Sequence, residues 1–389
     1  MYILTMLVFP SLVVLLLTAQ ANPQASQHNG FEEVAKQADA ARSADHLNEA
    51  LALYSKGVRL RPGWSEGWWS LGSLLYEQDR FSEAQEAFKR FVATAPKPGP
   101  GYAFLGLCEY ETHDYAGSLK HFQSWAKTGS PGNDALIDVA GFHWALLLTH
   151  ESKFEQALYL LAAKAGKLGS TPALAEAMGL ASLRMANLPE DYPPQKREMV
   201  WLAGRAALYA ARQDFQRSDE YARRLATRYG GEAKVHYFLG TLLDFQRRFP
   251  EAAQEFTNEL QISPQHVPAM VELALAQLEN YKPEEAVPVA ERAVTLEPKN
   301  ARAHLAYGKA LLATERLSEA ANELEVAKEL APESPAVRSA LANAYQRLGR
   351  MQEAKRESEA FLLLKEKEEV LAPVEKKIAS PKHAVRPKP

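Results

Sequence analysis

The amino-acid sequence predicts an all-α fold, an α-solenoid of about ten stacked helix-turn-helix units. Three observations predict it. A pattern of small and large apolar residues returns at a fixed spacing of 34 residues over most of the chain. Proline recurs near the end of each block, where it cannot continue a helical hydrogen-bond ladder. Hydrophobic residues make up 47% of the 389, and alanine supplies much of that share, which suits helices packed closely together.

The block is clearest at 65–98, with Trp68, Leu71, Gly72 and Leu75, then Ala84 and Phe88, then Pro96. One period earlier stand Val34, Ala38, Ala41, Ala50, Tyr54 and Pro62. One period later stand Tyr102, Leu105, Gly106, Ser118 and Phe122, with Pro131 near the expected proline. Two weaker units follow, near 138 (Trp144, Ala145, Leu148, Ala157, Leu161) and near 172 (Met178, Gly179, Ser182), the second without a normal second helix. The register resumes at 199 and runs on without insertion through 233, 267, 301 and 335. Its first small residue falls on Ala206, Gly240, Ala274, Gly308 and Ala342, and its second on Ser218, Ala252, Ala286, Ala320 and Ala354. Small residues at these places let paired helices approach, and a larger side chain would overpack the contact. One unit cannot bury its apolar face alone, so stability comes from stacking.

This pattern resembles the tetratricopeptide repeat, place for place, over 31–368. The resemblance implies a right-handed superhelical α-solenoid whose ligands lie in a concave groove lined by the first helix of each unit. On this chain the lining positions are Trp69, Tyr76, Ala103, Leu107, Tyr110, Phe142, Leu146, Leu180 and Leu183, then Tyr237 and Phe245. The last two units supply Arg302, Lys309, Asn343, Gln346 and Arg347. Such a lining suits an extended or helical peptide with apolar anchors. The alternative is that several of these side chains simply pack between neighbouring units. Family members that clamp a C-terminal carboxylate use a Lys and an Asn on the first helix. Here those pairs read Trp69/Ser73, Ala103/Leu107, Phe142/Leu146, Tyr237/Thr241 and Leu305/Lys309, and none matches.

Two stretches interrupt the array, Pro96 to Gly101 and the proline-rich 188–198 segment. The sequence therefore divides into a block at 31–187 and a block at 199–368. The 188–198 loop reads as a tolerated insertion or as a hinge. At the amino end, Ile3 to Leu17 is almost wholly apolar and Ala19-Gln20-Ala21 offers small residues to a signal peptidase. Residues 1–21 thus read as a signal peptide, followed by a linker at 22–30, although no basic residue precedes the apolar run. An uncleaved membrane anchor is the alternative. At the other end, 369–389 is rich in Pro and Lys and reads as a disordered basic tail. It is either a solubilising tail or a weak contact with an acidic envelope surface.

A net charge of −3 shows no bias toward nucleic acid, whose binding normally needs a basic face. Cys108 is the only cysteine, so no internal disulfide or two-cysteine metal motif exists. Phosphate-loop, nucleophile-elbow and zinc-helix motifs are missing from the sequence. His113, His121, His143 and His150 lie close in sequence but lack close metal-ligand spacing. The expectation is a non-enzymatic scaffold, without cofactor or metal, exported to a periplasmic or secreted location, that binds a protein or peptide partner. The alternative is a membrane-tethered accessory subunit of a cell-envelope enzyme or polysaccharide-export machine.

Overall fold

The computed structural model describes residues 23–128, 132–166 and 171–371. The expected signal at 1–21 lies outside these residues, as does 372–389 of the tail expected at 369–389, whose first three residues instead complete the last helix. Among the described residues all regular structure is helical, and the chain forms two compact units that divide between Ala95 and Pro96.

The first unit holds α1 (Pro23–Ser43), α2 (Leu47–Leu60), α3 (Ser65–Glu77) and α4 (Phe81–Thr94). Helix α1 takes in most of the stretch expected as a linker. Pro23 opens it, at the position where a missing N–H and a fixed φ suit a helix start. The indole of Trp64 fills the space between the two helical pairs. A Cβ on Gly57 or Gly67 would meet that ring at 2.6 and 2.1 Å. Phe31 meets the same indole edge-on at 5.1 Å and carries the Arg61 guanidinium on its face at 3.6 Å.

The second unit begins with α5 (Gly99–Glu111), α6 (Tyr115–Lys127), α7 (Asp134–His150), α8 (Phe154–Ala165) and α9 (Pro172–Ser182). A short 3-10 turn at Pro194–Lys196 leads into α10 (Arg197–Ala211) and α11 (Phe215–Tyr229). Then come α12 (Val235–Phe245), α13 (Phe249–Ile262), α14 (Val267–Glu279) and α15 (Pro283–Leu296). The last four are α16 (Ala301–Ala313), α17 (Leu317–Leu330), α18 (Pro335–Arg347) and α19 (Met351–Leu371). Except for α9, the helices of both units pack as consecutive pairs, each second helix against the first helix that follows within its unit.

Every paired turn uses the same device. One residue takes the left-handed conformation: Asp45, Asp79, His113, Ser152, Gln213, Arg247, Tyr281, Glu315 or Gly349. The next amide closes back on a carbonyl of the first helix, as in Arg80 N to Leu75 O and Arg248 N to Leu243 O, both 2.9 Å. Glycine accepts this conformation without strain, yet only the last of these turns uses it.

Inside each pair the small residues do two separate jobs. The space a Cβ would take at Gly72, Gly106, Gly240 and Gly308 is filled by Phe88, Phe122, Phe256 and Leu324, at 3.0, 2.8, 2.5 and 2.6 Å. The sequence pattern sets the two small positions against each other, and the structure does so while also seating the first one under a large side chain from the second helix. Where that position is Ala206 or Ala274, the residue in the large-side-chain register is only Ala222 or Ala290. The second small position serves the backbone: Ser118 donates to the Gly106 carbonyl at 2.6 Å, and Ser218 to that of Ala206 at 2.9 Å.

Helix α9 has no second helix of its own. Leu188 and Tyr192 of the following connection are buried in its place, and the Tyr192 hydroxyl donates to Glu176 at 2.5 Å. Helices α9 and α10 then pack directly with their backbones in contact. A Cβ on Gly179 would lie 2.0 Å from the Val200 carbonyl oxygen, and one on Gly204 would lie 1.7 Å from that of Ala175. The sequence divides the array at 188–198, whereas the contacts divide it at Ala95/Pro96, beside the Pro96–Gly101 interruption.

Candidate binding groove

Because α9 meets α10 without an intervening helix, α8 comes to face α12 across an open cavity of about 340 Å³. Its walls are apolar: Phe154, Leu158 and Ala162 from α8, Met178 and Ala181 from α9, Ala207 and Ala210 from α10, Phe238 and Leu242 from α12. Charged groups stand around it. Arg184, just after α9, donates to Glu155 at 2.6 Å and to the Tyr237 hydroxyl at 3.3 Å. Its guanidinium also lies 4.9 Å from the Phe154 ring centre and 5.4 Å from that of Tyr237. Arg302 of α16 reaches back to Glu272 of α14 at 2.5 Å.

The carboxylates respond differently to this setting. Burial pushes Glu155 up, but the hydrogen bond and charge of Arg184 outweigh it and hold the group below the usual carboxylate range. Glu272 is raised by burial, against the opposing pull of Arg302. Asp244 is raised by burial and then by Glu279, with weaker relief from Arg302 and Arg247. No hydrogen bond or ion pair reaches the Asp244 carboxylate among the described residues. The Tyr237 phenol is pushed up to about 12 by burial.

Three of the sequence-chosen lining residues meet at this cavity: Tyr237, Phe245 and Arg302. Phe245 is 59% exposed, its ring edge-on to Phe215 at 6.4 Å, whereas Tyr237 is 4% exposed and forms part of the wall. Leu107 is a correction: at 2% exposure it is a core residue of α5 and no part of an open groove. Trp69 and Tyr76 belong to the first unit and are half-buried. Trp69 packs on Phe88 and Phe91 at 5.8 and 5.1 Å, and Tyr76 on Phe81 at 5.4 Å, so both rings help to hold α3 on α4. Tyr110 and Phe142 are half-buried in the second unit, both rings packed against His143, with Tyr110 edge-on at 4.7 Å. Lys309 and Asn343 are exposed, beyond the cavity. Arg347 is a clasp between turns, donating to the Leu312 carbonyl at 2.7 Å and pairing with Glu315 at 2.5 Å.

The sequence missed Glu272, Asp244 and Arg184. The first two carried a readable signal, since each is a lone carboxylate inside an apolar helical run, Met270-Val-Glu-Leu and Leu242-Leu-Asp-Phe. Arg184 gave none, because its place depends on the lost helix.

The histidines are held by neighbours of other kinds. His121 faces Glu109 at 2.6 Å, His113 faces the Tyr115 hydroxyl at 2.9 Å, and His143 faces the Val139 carbonyl at 2.9 Å. Burial lowers His143. Among the described residues no group of three metal-ligating side chains gathers, and no helix is long and apolar enough to cross a membrane.

Two family models, both described as tetratricopeptide repeat, match the chain, one at 277–343 and the other at 35–103 and again at 70–134. No curated protein matches it in sequence. Solved structures similar to part of the chain include a MamA RS-1 ArsTM double mutant, at 19% identity and a TM-score of 0.40, covering 44% of this chain and 96% of that one. A MamA structure from Desulfovibrio magneticus RS-1, residue 41 to the end, gives 20% and 0.40, over 43% and 96%. A further MamA crystal structure gives 15% and 0.39, over 44% and 94%. The helical pairs, their shared turn and both family models lead to one conclusion: the chain carries tetratricopeptide repeats.

Proposed function

We propose that this chain is an exported, non-enzymatic adaptor that captures a segment of a partner protein in the groove between α8 and α12. The apolar cavity of about 340 Å³, with the exposed Phe245 ring at its edge, carries the reading. Concave apolar sites with a few polar groups at the margin suit peptide side chains, and aromatic anchors supply much of the binding energy. Export rests on the apolar run from Ile3 to Leu17 and on Ala19-Gln20-Ala21.

The groove is tested by cross-linking in the native host with the wild type and two variants. Thr241→Arg should plug the cavity, and Phe245→Ala should remove the exposed ring. The partner cross-linked to the wild type should be lost from the first and reduced about tenfold or more in the second. The helical circular-dichroism signal should stay unchanged, because both positions are at least partly open. Undiminished capture by both folded variants would move the site off this groove. Amino-terminal sequencing tests export, with Asn22 expected as the first residue; an intact Met1 on membrane-bound protein would replace secretion with tethering.

A further inference from the structure

The charges around the cavity do not cancel. Arg184 is committed to Glu155, and Arg302 to Glu272. Asp244 remains, half-buried at the cavity wall with no hydrogen-bonded partner. Glu279, at the carboxyl end of α14, adds a second carboxylate that acts on Asp244 and forms no ion pair among the described residues. Two arginines act on Asp244, each less than Glu279 does: first Arg302, which is paired with Glu272, then Arg247 at the turn after α12, whose guanidinium lies 5.3 Å from the Phe249 ring. An empty groove thus leaves a half-buried carboxylate without a hydrogen-bonded or ion-paired partner among the described residues, beside an apolar hollow. Burial makes such a charge costly until an opposite one arrives.

We infer that the occupant of the groove is a partner segment in which a lysine or arginine stands next to a large apolar side chain. The apolar side chain fills the hollow between Phe154 and Phe238, and the cation comes to rest at Asp244 in the cavity wall. This inference rests on the reading of the groove as the binding site. It adds the sign and the pairing of the ligand: an acidic or purely apolar segment would leave Asp244 buried and alone, and an isolated basic residue would leave the hollow empty.

An array of random short peptides, probed with the full chain, tests it. The set retained by the wild type but released by Thr241→Arg should be enriched in Lys or Arg adjacent to Leu, Met or Phe. The doubly neutral variant Asp244→Asn/Glu279→Gln should bind a selected basic peptide about tenfold more weakly and with a flatter salt dependence, while apolar preference persists. Asp244 has no hydrogen bond to lose and Glu279 is exposed, so the fold survives this exchange, and Glu279→Gln alone gives the same direction in milder form. Enrichment without basic residues, enrichment in acidic ones, or unchanged binding by the double variant overturns the inference while leaving the groove in place. An array with no peptide sensitive to Thr241→Arg overturns the groove itself. A synthetic peptide of residues 373–389, itself basic, is included; if it outcompetes every selected peptide, the occupant is this chain's own tail and not a partner.

Discussion

Asp244 shows how one residue connects folding to function. Its carboxyl titrates higher in the folded chain than in the unfolded one, because burial and Glu279 disfavour the charge. The folded state therefore holds the proton more tightly, and stability falls as pH rises from the ordinary aspartate range through the raised folded value. Above that window the penalty is complete. Asp244→Asn should raise the melting temperature at neutral pH by about 2 °C, and the gain should vanish below about pH 3.5, where both states are protonated. A gain that persists in acid would mean that Asp244 is not a charged liability. Other residues were readable from sequence only as positions. Leu107 and Tyr237 have groove register, yet both are buried, Tyr237 under the rings of Phe256 and His266 at 5.9 and 5.0 Å. Register fixes the direction of a side chain; the size of the residues around it fixes whether solvent reaches it.

At the scale of the element, the pairs were legible because a small residue and a proline recur at fixed positions. The turn between paired helices was not, since its left-handed residue changes identity from Asp to His, Ser, Gln, Arg, Tyr and Glu. Geometry is kept there while chemistry drifts. Strain at these turns is a source of stability to be recovered. Tyr281 is 93% exposed with φ 57°, so it bears the left-handed conformation without packing in return. Tyr281→Gly should stabilise the chain by about 0.5–1 kcal/mol, read as a rise of about 2 °C in thermal melting. His113 adopts the same conformation but packs on Tyr115 with ring centres 5.8 Å apart, so His113→Gly should gain less. Equal gains would show that the ring contact contributes nothing. The unpaired α9 was half legible: the prolines announced that its partner helix was missing, but not that Gly179 and Gly204 would join α9 to α10. Gly179 reads as an ordinary small repeat position and Gly204 falls on none, and only backbone contact gives them their role.

Across the whole molecule, each compact unit is a stack in which neighbours support neighbours, so opening is a local event before it is a global one. The lone thiol makes that opening measurable. Cys108 is fully buried in α5, and burial, then Glu109, pushes it up to about 12. A thiol reagent near neutral pH meets neither an accessible sulfur nor a thiolate until α5 detaches. Labelling of the native chain should be about a thousandfold or more slower than labelling in denaturant. Comparable rates in the two states would contradict the packing of α5. With no competing cysteine, that ratio is the equilibrium constant for the opening of α5, read without a mutation or an attached probe: one buried sulfur keeps time for the breathing of the stack.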